Sequence, residues 1–199
     1  MSGPALAHAV DPFTIRDSRD SDVATIHQIY AHHVLTGLGS FEETPPSLDE
    51  IARRRLEILG HGLPYLVAES AGRLLGYAYA GQFRQRSAYR YSVEDSIYVA
   101  PDAQRHGIGR RMLDELIERC TALGYRQMLA VIGDSANHAS IGVHRAAGFA
   151  DVARLPAVGF KFGRWVDIVM MQRALGPGQS TLPHRRTGAE AIAGEKKGP

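Results

Sequence analysis

SVEDSIYVAPDAQRHGIGRRML, residues 92–113, changes its period halfway along. Residues 92–100 read as a strand. Beyond the turn, Ile108, Met112, Leu113, Leu116, Ile117 and Cys120 recur at helical spacing. Two glycines two apart, Gly107 and Gly109, stand at the junction among Gln104, Arg105, His106 and Arg110. A helix start offers unpaired N–H groups and the positive end of a dipole, and glycine lets an anion approach the backbone. Two readings stand at this point: a pyrophosphate cradle, or a plain strand-to-helix turn with glycines in it. Neither common phosphate motif fits. G-x-x-x-x-G-K-[ST] does not occur, and G-x-G-x-x-G needs glycine where Met112 stands.

Around this junction the elements alternate. Residues 13–18 (FTIRDS) read as a strand. Asp20, Ser21 or Asp22 can cap a helix with Val23, Ile26, Ile29 and Tyr30 on one face. TGLGSFEETPPS, residues 36–47, breaks it. Ser47 caps a second helix, with Glu50 in the capping-box position and Leu48, Ile51, Ala52 and Leu59 as its apolar stripe. YLVAES (65–70) and LLGYAYAGQF (74–83) flank AGR as a hairpin. Past the central helix, which Gly124 ends, QMLAVIG (127–133) is a strand buried on both faces. Asn137 or Ser140 opens a short helix that stops near Gly148, and ARLPAVGFKF (153–162) and WVDIVMMQRAL (165–175) are the last strands. The order predicts an α/β (α+β) domain with a mixed, mostly antiparallel sheet over residues 13–175. Residues 1–12 read as a loose arm, and 176–199, rich in Gly, Pro and charge, as a disordered tail.

The composition excludes several classes. With 199 residues the chain suits one domain, large enough to bury about two-thirds of its unfolded surface. A formal charge of +2 is too small to indicate nucleic acid. No apolar run approaches the ~20 residues of a membrane span, and MSGPALAHAVDP lacks the basic and apolar regions of a signal peptide. The single cysteine, Cys120, closes no intrachain disulfide, permits a cytoplasmic location and lies on the apolar helix stripe as a core residue. His32 and His33 lack the H-E-x-x-H pattern, so no metal site is expected. GDSAN is not a G-x-S-x-G elbow.

Gln104-x-x-Gly107-x-Gly109, after a strand ending SIYV, resembles the acetyl-CoA pyrophosphate loop of the GNAT N-acetyltransferases. YSVEDSIYVAPDAQRHGIG (91–109), AVIGDSANHASIGVHRAAGF (130–149) and GFKFGRWVDIVMMQ (159–172) are similar to the phosphinothricin / methionine sulfone acetyltransferase branch. The resemblance implies the GNAT fold, with helices on both faces of the sheet. It implies acetyl transfer from acetyl-CoA to the α-amino group of a small amino acid or analogue, in a homodimer. The backbone of Ile97, Tyr98 and Val99, the turn residues Arg105, His106, Gly107, Ile108, Gly109 and Arg110, and Asn137 would hold the cofactor. Glu94, whose burial would raise its pKa, would be the general base. By strand alternation Asp95 is expected on the opposite face, exposed. His144, four residues before Gly148, would protonate the leaving thiolate or relay a proton.

In RQRSAYRYSVE (84–94), Arg86, Ser87, Ala88 and Tyr89 would meet the substrate, with Arg86 as a buried partner for an anionic group. Arg84 and Arg90 read as surface charge. Phe41 would line the substrate wall, and Trp165 would pack on the final strands. Two other functions fit the same fold. A protein N-terminal acetyltransferase needs GSFEETPPS (39–47) and PAVGFKFG (156–163) to lie apart. A non-catalytic acetyl-CoA-binding module predicts loss of the base, and Glu94 is present.

Overall fold

The computed structural model describes residues 13–183; the arm read at 1–12 and the tail from 184 onward lie outside the described residues. The elements are β1 (Thr14–Asp17), α1 (Val23–Thr36), α2 (Leu48–Gly60), β2 (Tyr65–Ser70), β3 (Arg73–Gln82), β4 (Ser92–Val99), α3 (Ile108–Ala122), β5 (Gln127–Gly133), α4 (His138–Ala146), β6 (Ala150–Lys161) and β7 (Arg164–Ala174). One seven-stranded sheet runs in the order β1-β2-β3-β4-β5-β7-β6. Only β4 and β5 pair in parallel among the described residues, as the crossover through α3 requires. No helix among the described residues is long and apolar enough to cross a membrane.

The helices cover both faces. On β3 and β4 the register sets Tyr77 opposite Tyr98 and Gly81 opposite Glu94, so these four share a face. Tyr98 meets Tyr30 of α1 there, ring centroids 5.0 Å apart. On the other face Gly76 lies under Met112 of α3. The apolar stripe read on α3 is buried residue for residue, Cys120 included, and Gly124 follows the helix at φ +82°.

Several local expectations change on burial. Asp22 occupies the N-cap position of α1 but does not cap it. Its carboxylate accepts from Arg16 and from the Arg19 amide. Ser47 does cap α2, accepting from the Glu50 amide, while Glu50 turns to Arg53 and Arg54. Leu48 and Leu59 stay exposed. The position that α2 buries besides Ile51 is Arg55, whose guanidinium donates to Ser18 Oγ, the Ser18 carbonyl and Asp20. Trp165 is 67% exposed and meets Phe160 of β6, an edge strand that no element among the described residues covers. The segment read as tail is placed as far as residue 183. Arg126 donates to the Gly178 carbonyl, Thr181 Oγ1 and the Leu182 carbonyl.

Gly76 is where β3, β4 and α3 meet. A Cβ there would lie 2.7 Å from the Tyr98 carbonyl oxygen and 3.1 Å from Met112 Cε. Gly76→Ala should cost about 1–3 kcal/mol of stability through overpacking, read as a lower urea midpoint.

Candidate active site

The site grows from the parting of two strands. The pairing of β4 with β5 covers Ser92–Glu94 against Gln127–Leu129. Beyond it β4 runs on to Val99 and β5 to Gly133. The Ala100 amide donates to the Leu75 carbonyl. By alternation the main-chain groups of Tyr98 also turn to β3, while those of Ile97 and Val99 turn into the gap. Val99 presents its carbonyl there to His33 Nε2 of α1, 2.8 Å away. In the sequence His33 is weighed only as a metal ligand, and no local pattern ties it to a strand 66 residues on.

Glu94 stands at the apex, half-buried. Burial raises its pKa above the ordinary carboxyl range, the neighbouring Asp95 charge adds to this, and Arg84 pulls part of it back. Arg84 is therefore the loop cation whose charge reaches the apex.

Asp95 is buried rather than exposed. Alternation does turn it away from Glu94, but α4 covers that face too. His144 Nε2 donates to Asp95 Oδ2 at 2.9 Å, and His144 Nδ1 to the Ser140 carbonyl at 2.8 Å. Both ring nitrogens are therefore engaged. Burial pulls its pKa down, but the Asp95 bond and charge and the Ser140 carbonyl outweigh this and leave it raised. His144 is thus held between Asp95 and the Ser140 carbonyl on the face of β4 away from Glu94. Asp95 Oδ1 is buried without a hydrogen-bond partner.

At the gap's outer end lies the glycine turn. Arg105 and Gly107 both take positive φ, +65° and +76°. The Arg111 amide bonds the Gly107 carbonyl as the first turn of α3, so the amides of Ile108, Gly109 and Arg110 precede any helical partner. Ile108 is buried and anchors the turn, while Gln104 to Gly107 are exposed. A Cβ at Gly109 would only just touch Val99 and Ile97, so packing does not demand glycine there. Its bareness leaves room beside three unpaired amides. Arg110 is engaged by Asp114. Asn137 caps α4, its Oδ1 accepting from the Ser140 amide.

Arg86, Ser87, Ala88 and Tyr89 lie on the exposed β3–β4 loop, not in a buried pocket. With Gln82, Phe83, Arg84 and Gln85, Arg86 and Tyr89 line an open cleft of about 480 Å³. Phe41 comes from the α1–α2 loop. Its ring lies over Gly133 at the end of β5 and over Gly159 of β6, where a Cβ would strike it.

Residues 15–170 match the family described as "Acetyltransferase (GNAT) domain". The chain belongs to the GNAT acetyltransferases. Among its relatives, a phosphinothricin N-acetyltransferase of Alcaligenes faecalis is 55% identical over 170 residues, 85% of this chain and 86% of the relative. An L-methionine sulfoximine/L-methionine sulfone acetyltransferase of Salmonella typhimurium is 39% identical over 81% of this chain and 94% of its own. The crystal structure of a GNAT superfamily phosphinothricin acetyltransferase from Sinorhizobium meliloti, in complex with AcCoA, superposes with TM-score 0.86 at 49% identity. That match covers 89% of this chain and 97% of the other. This GNAT chain is thus an N-acetyltransferase.

The Asp95–His144 pair contributes stability that is fully present below the unfolded histidine pKa, about 6.5, and is lost as pH rises through the raised folded value. Asp95→Asn should therefore lower Tm markedly at pH 6 and much less at pH 9. Equal losses at both would show that the histidine charge is not what the pair holds.

Proposed function

We propose that the protein acetylates the α-amino group of a small free amino acid or analogue of the phosphinothricin, methionine sulfone or methionine sulfoximine type. Acetyl-CoA is the donor. One observation carries the small-acceptor reading: the α1–α2 loop and β6 touch, Phe41 lying on Gly159. A protein N-terminal acetyltransferase would need these segments apart to admit an extended peptide. A merely binding module would have no use for a half-buried carboxyl at the apex.

The turn amides of Ile108, Gly109 and Arg110, with Arg105 and His106 beside them, receive the pyrophosphate. The gap-facing main chain of Ile97 and Val99 holds the pantetheine arm. Their amides face developing negative charge on the thioester oxygen. Glu94 takes one proton from the substrate ammonium, and the free amine attacks the thioester carbonyl. As the C–S bond breaks, the expelled CoA thiolate takes up the proton that the nitrogen sheds to become the amide. Arg84 and Arg86 attract the acceptor's anionic groups from the cleft. His144 acts by position, its bond to Asp95 fastening α4 beneath β4. The work is cytoplasmic, where acetyl-CoA and free amino acids meet.

The protein works as a homodimer. β6 is an edge strand exposed along most of its length, and Val152, Val158, Phe160, Phe162 and Trp165 on β6, β7 and their turn are each about half exposed or more. Exposed apolar side chains along an unpaired strand edge suit a second copy. Phe160→Arg should convert a dimer to a monomer in sedimentation velocity. A wild-type chain that sediments as a monomer would end the dimer reading.

Release of CoA thiol should be fast with phosphinothricin or methionine sulfone and slow with plain alkylamines. Glu94→Gln should lower kcat by roughly 10²-fold at pH 7, and the defect should shrink toward pH 10, where free amine is abundant. A loss constant across that range would mean that Glu94 positions substrate. A preference for peptides with a free N-terminus would replace the small-acceptor reading.

A further inference from the structure

Lys161 is a charged residue that the reaction does not use, yet it is only 1% exposed. It ends β6 just before a tight turn in which Phe162 and Gly163 both take positive φ. Its Nζ donates to two main-chain carbonyls of the α1–α2 loop, Gly37 at 2.9 Å and Ser40 at 2.7 Å. The Phe162 ring lies 4.9 Å from the same nitrogen. Burial draws the ammonium pKa down, while Glu42 and Glu43 of the same loop draw it back up.

A buried ammonium is costly, and an apolar side chain could fill this slot at lower cost. What the lysine supplies and an apolar residue cannot is a hold on a loop that has little regular structure of its own. The hold is one of three between the same segments. Gly133, at the end of β5, lies against the Leu38 carbonyl and the Phe41 ring so closely that no Cβ would fit. Gly159, two residues before Lys161 on β6, is covered by the Phe41 ring, with Cδ2 2.6 Å from a would-be Cβ. From the other side Tyr30 and Ser40 share a hydroxyl–hydroxyl bond of 3.0 Å, and Tyr30 packs edge-on against Tyr98 of β4. Residues 37–41 are thus pinned between the β6–β7 hairpin and the strand that carries Glu94.

We propose that Lys161 is a positioning residue for the acceptor pocket. Its buried ammonium locks the α1–α2 loop onto β5 and β6, so that Phe41 forms a fixed wall that admits a compact free amino acid and excludes a peptide. The inference rests on the small-acceptor acetyltransferase reading and assigns its selectivity to a contact remote from the transferred proton.

The test compares wild type, Lys161→Met and Gly159→Ala. Lys161→Met removes both hydrogen bonds at similar volume. Gly159→Ala displaces Phe41 from its seat and leaves the lysine in place. In each, the KM for phosphinothricin or methionine sulfone should rise about tenfold or more, with acetyl-CoA KM within about twofold. Turnover of a tripeptide with a free N-terminus should gain relative to the free amino acid, and amides 37–43 should exchange hydrogen faster than in wild type. Lys161→Arg, which can still donate to both carbonyls, should recover most of the acceptor KM. Unchanged acceptor KM and peptide ratio in a folded Lys161→Met enzyme would overturn the proposal, as would equal rises in both KM values. Should Lys161→Met fail to fold, Gly159→Ala decides on the same two outcomes. A wild type that acetylates no free amino acid analogue at all would instead sink the functional reading itself, before any substitution is made.

Discussion

The rest of the site depends on β4 leaving β5 after Glu94. A parallel pair that stays together satisfies its own main chain and has nothing to offer a ligand. Here the partnership ends at Glu94 and Leu129. Each strand keeps its outer neighbour, β3 on one side and β7 on the other, so the sheet survives the opening. What results is a wedge with a carboxyl at its apex, main-chain groups along one wall and a helix start at its mouth. The crossover through α3 maintains the opening. Ile108 is buried where the helix begins, and Gly109 sits on the side chains of Ile97 and Val99.

Because β4 is central, it is covered on both faces, and this decides its electrostatics. Glu94 and Asp95 are consecutive carboxylates that alternation sends to opposite sides. The two environments differ in one respect. Asp95 has the His144 ring at 2.9 Å, and Glu94 has only the more distant Arg84. Burial lifts the Glu94 pKa, and the Asp95 charge beside it adds to that lift. Two adjacent residues of one type acquire different tasks from what packs over them.

The same logic separates what was legible in the sequence from what was not. The α3 stripe, the seven strands, the β2–β3 hairpin and the Ser47 cap are set by neighbours within a few residues, and each can be read from periodicity or a short motif. Gly107 is legible for the same reason, since its positive φ is a local demand. Arg55, Asp95 and Lys161 are polar residues on ordinary-looking elements, and each is buried by a partner 35 or more positions away. Alternation correctly sends Asp95 away from Glu94. It cannot say that a helix waits there. Trp165 does meet the final strands, its ring against Phe160, but the sheet order puts that contact at an edge strand and leaves the ring exposed.

The apolar stripe of α3 is buried throughout, whereas that of α2 is buried only in part, Leu48 and Leu59 remaining exposed. What local pattern leaves unread is the charged group whose burial must be matched by a specific partner. A leucine can be buried by any neighbour of suitable shape. An arginine, aspartate or lysine can be buried only if particular oxygens or donors arrive with it, so its environment is a property of the assembled fold. The three long-range polar contacts occupy different corners: Arg55 joins α2 to the end of β1, His144 joins α4 to β4, and Lys161 joins the β6–β7 hairpin to the α1–α2 loop. Together they fix helices and loops that apolar packing alone would leave free to slide. The last two border the wedge, where small displacements matter most. On the proposed reading, selectivity rests on the buried Lys161 hydrogen bonds that stand behind the pocket wall and never meet the substrate.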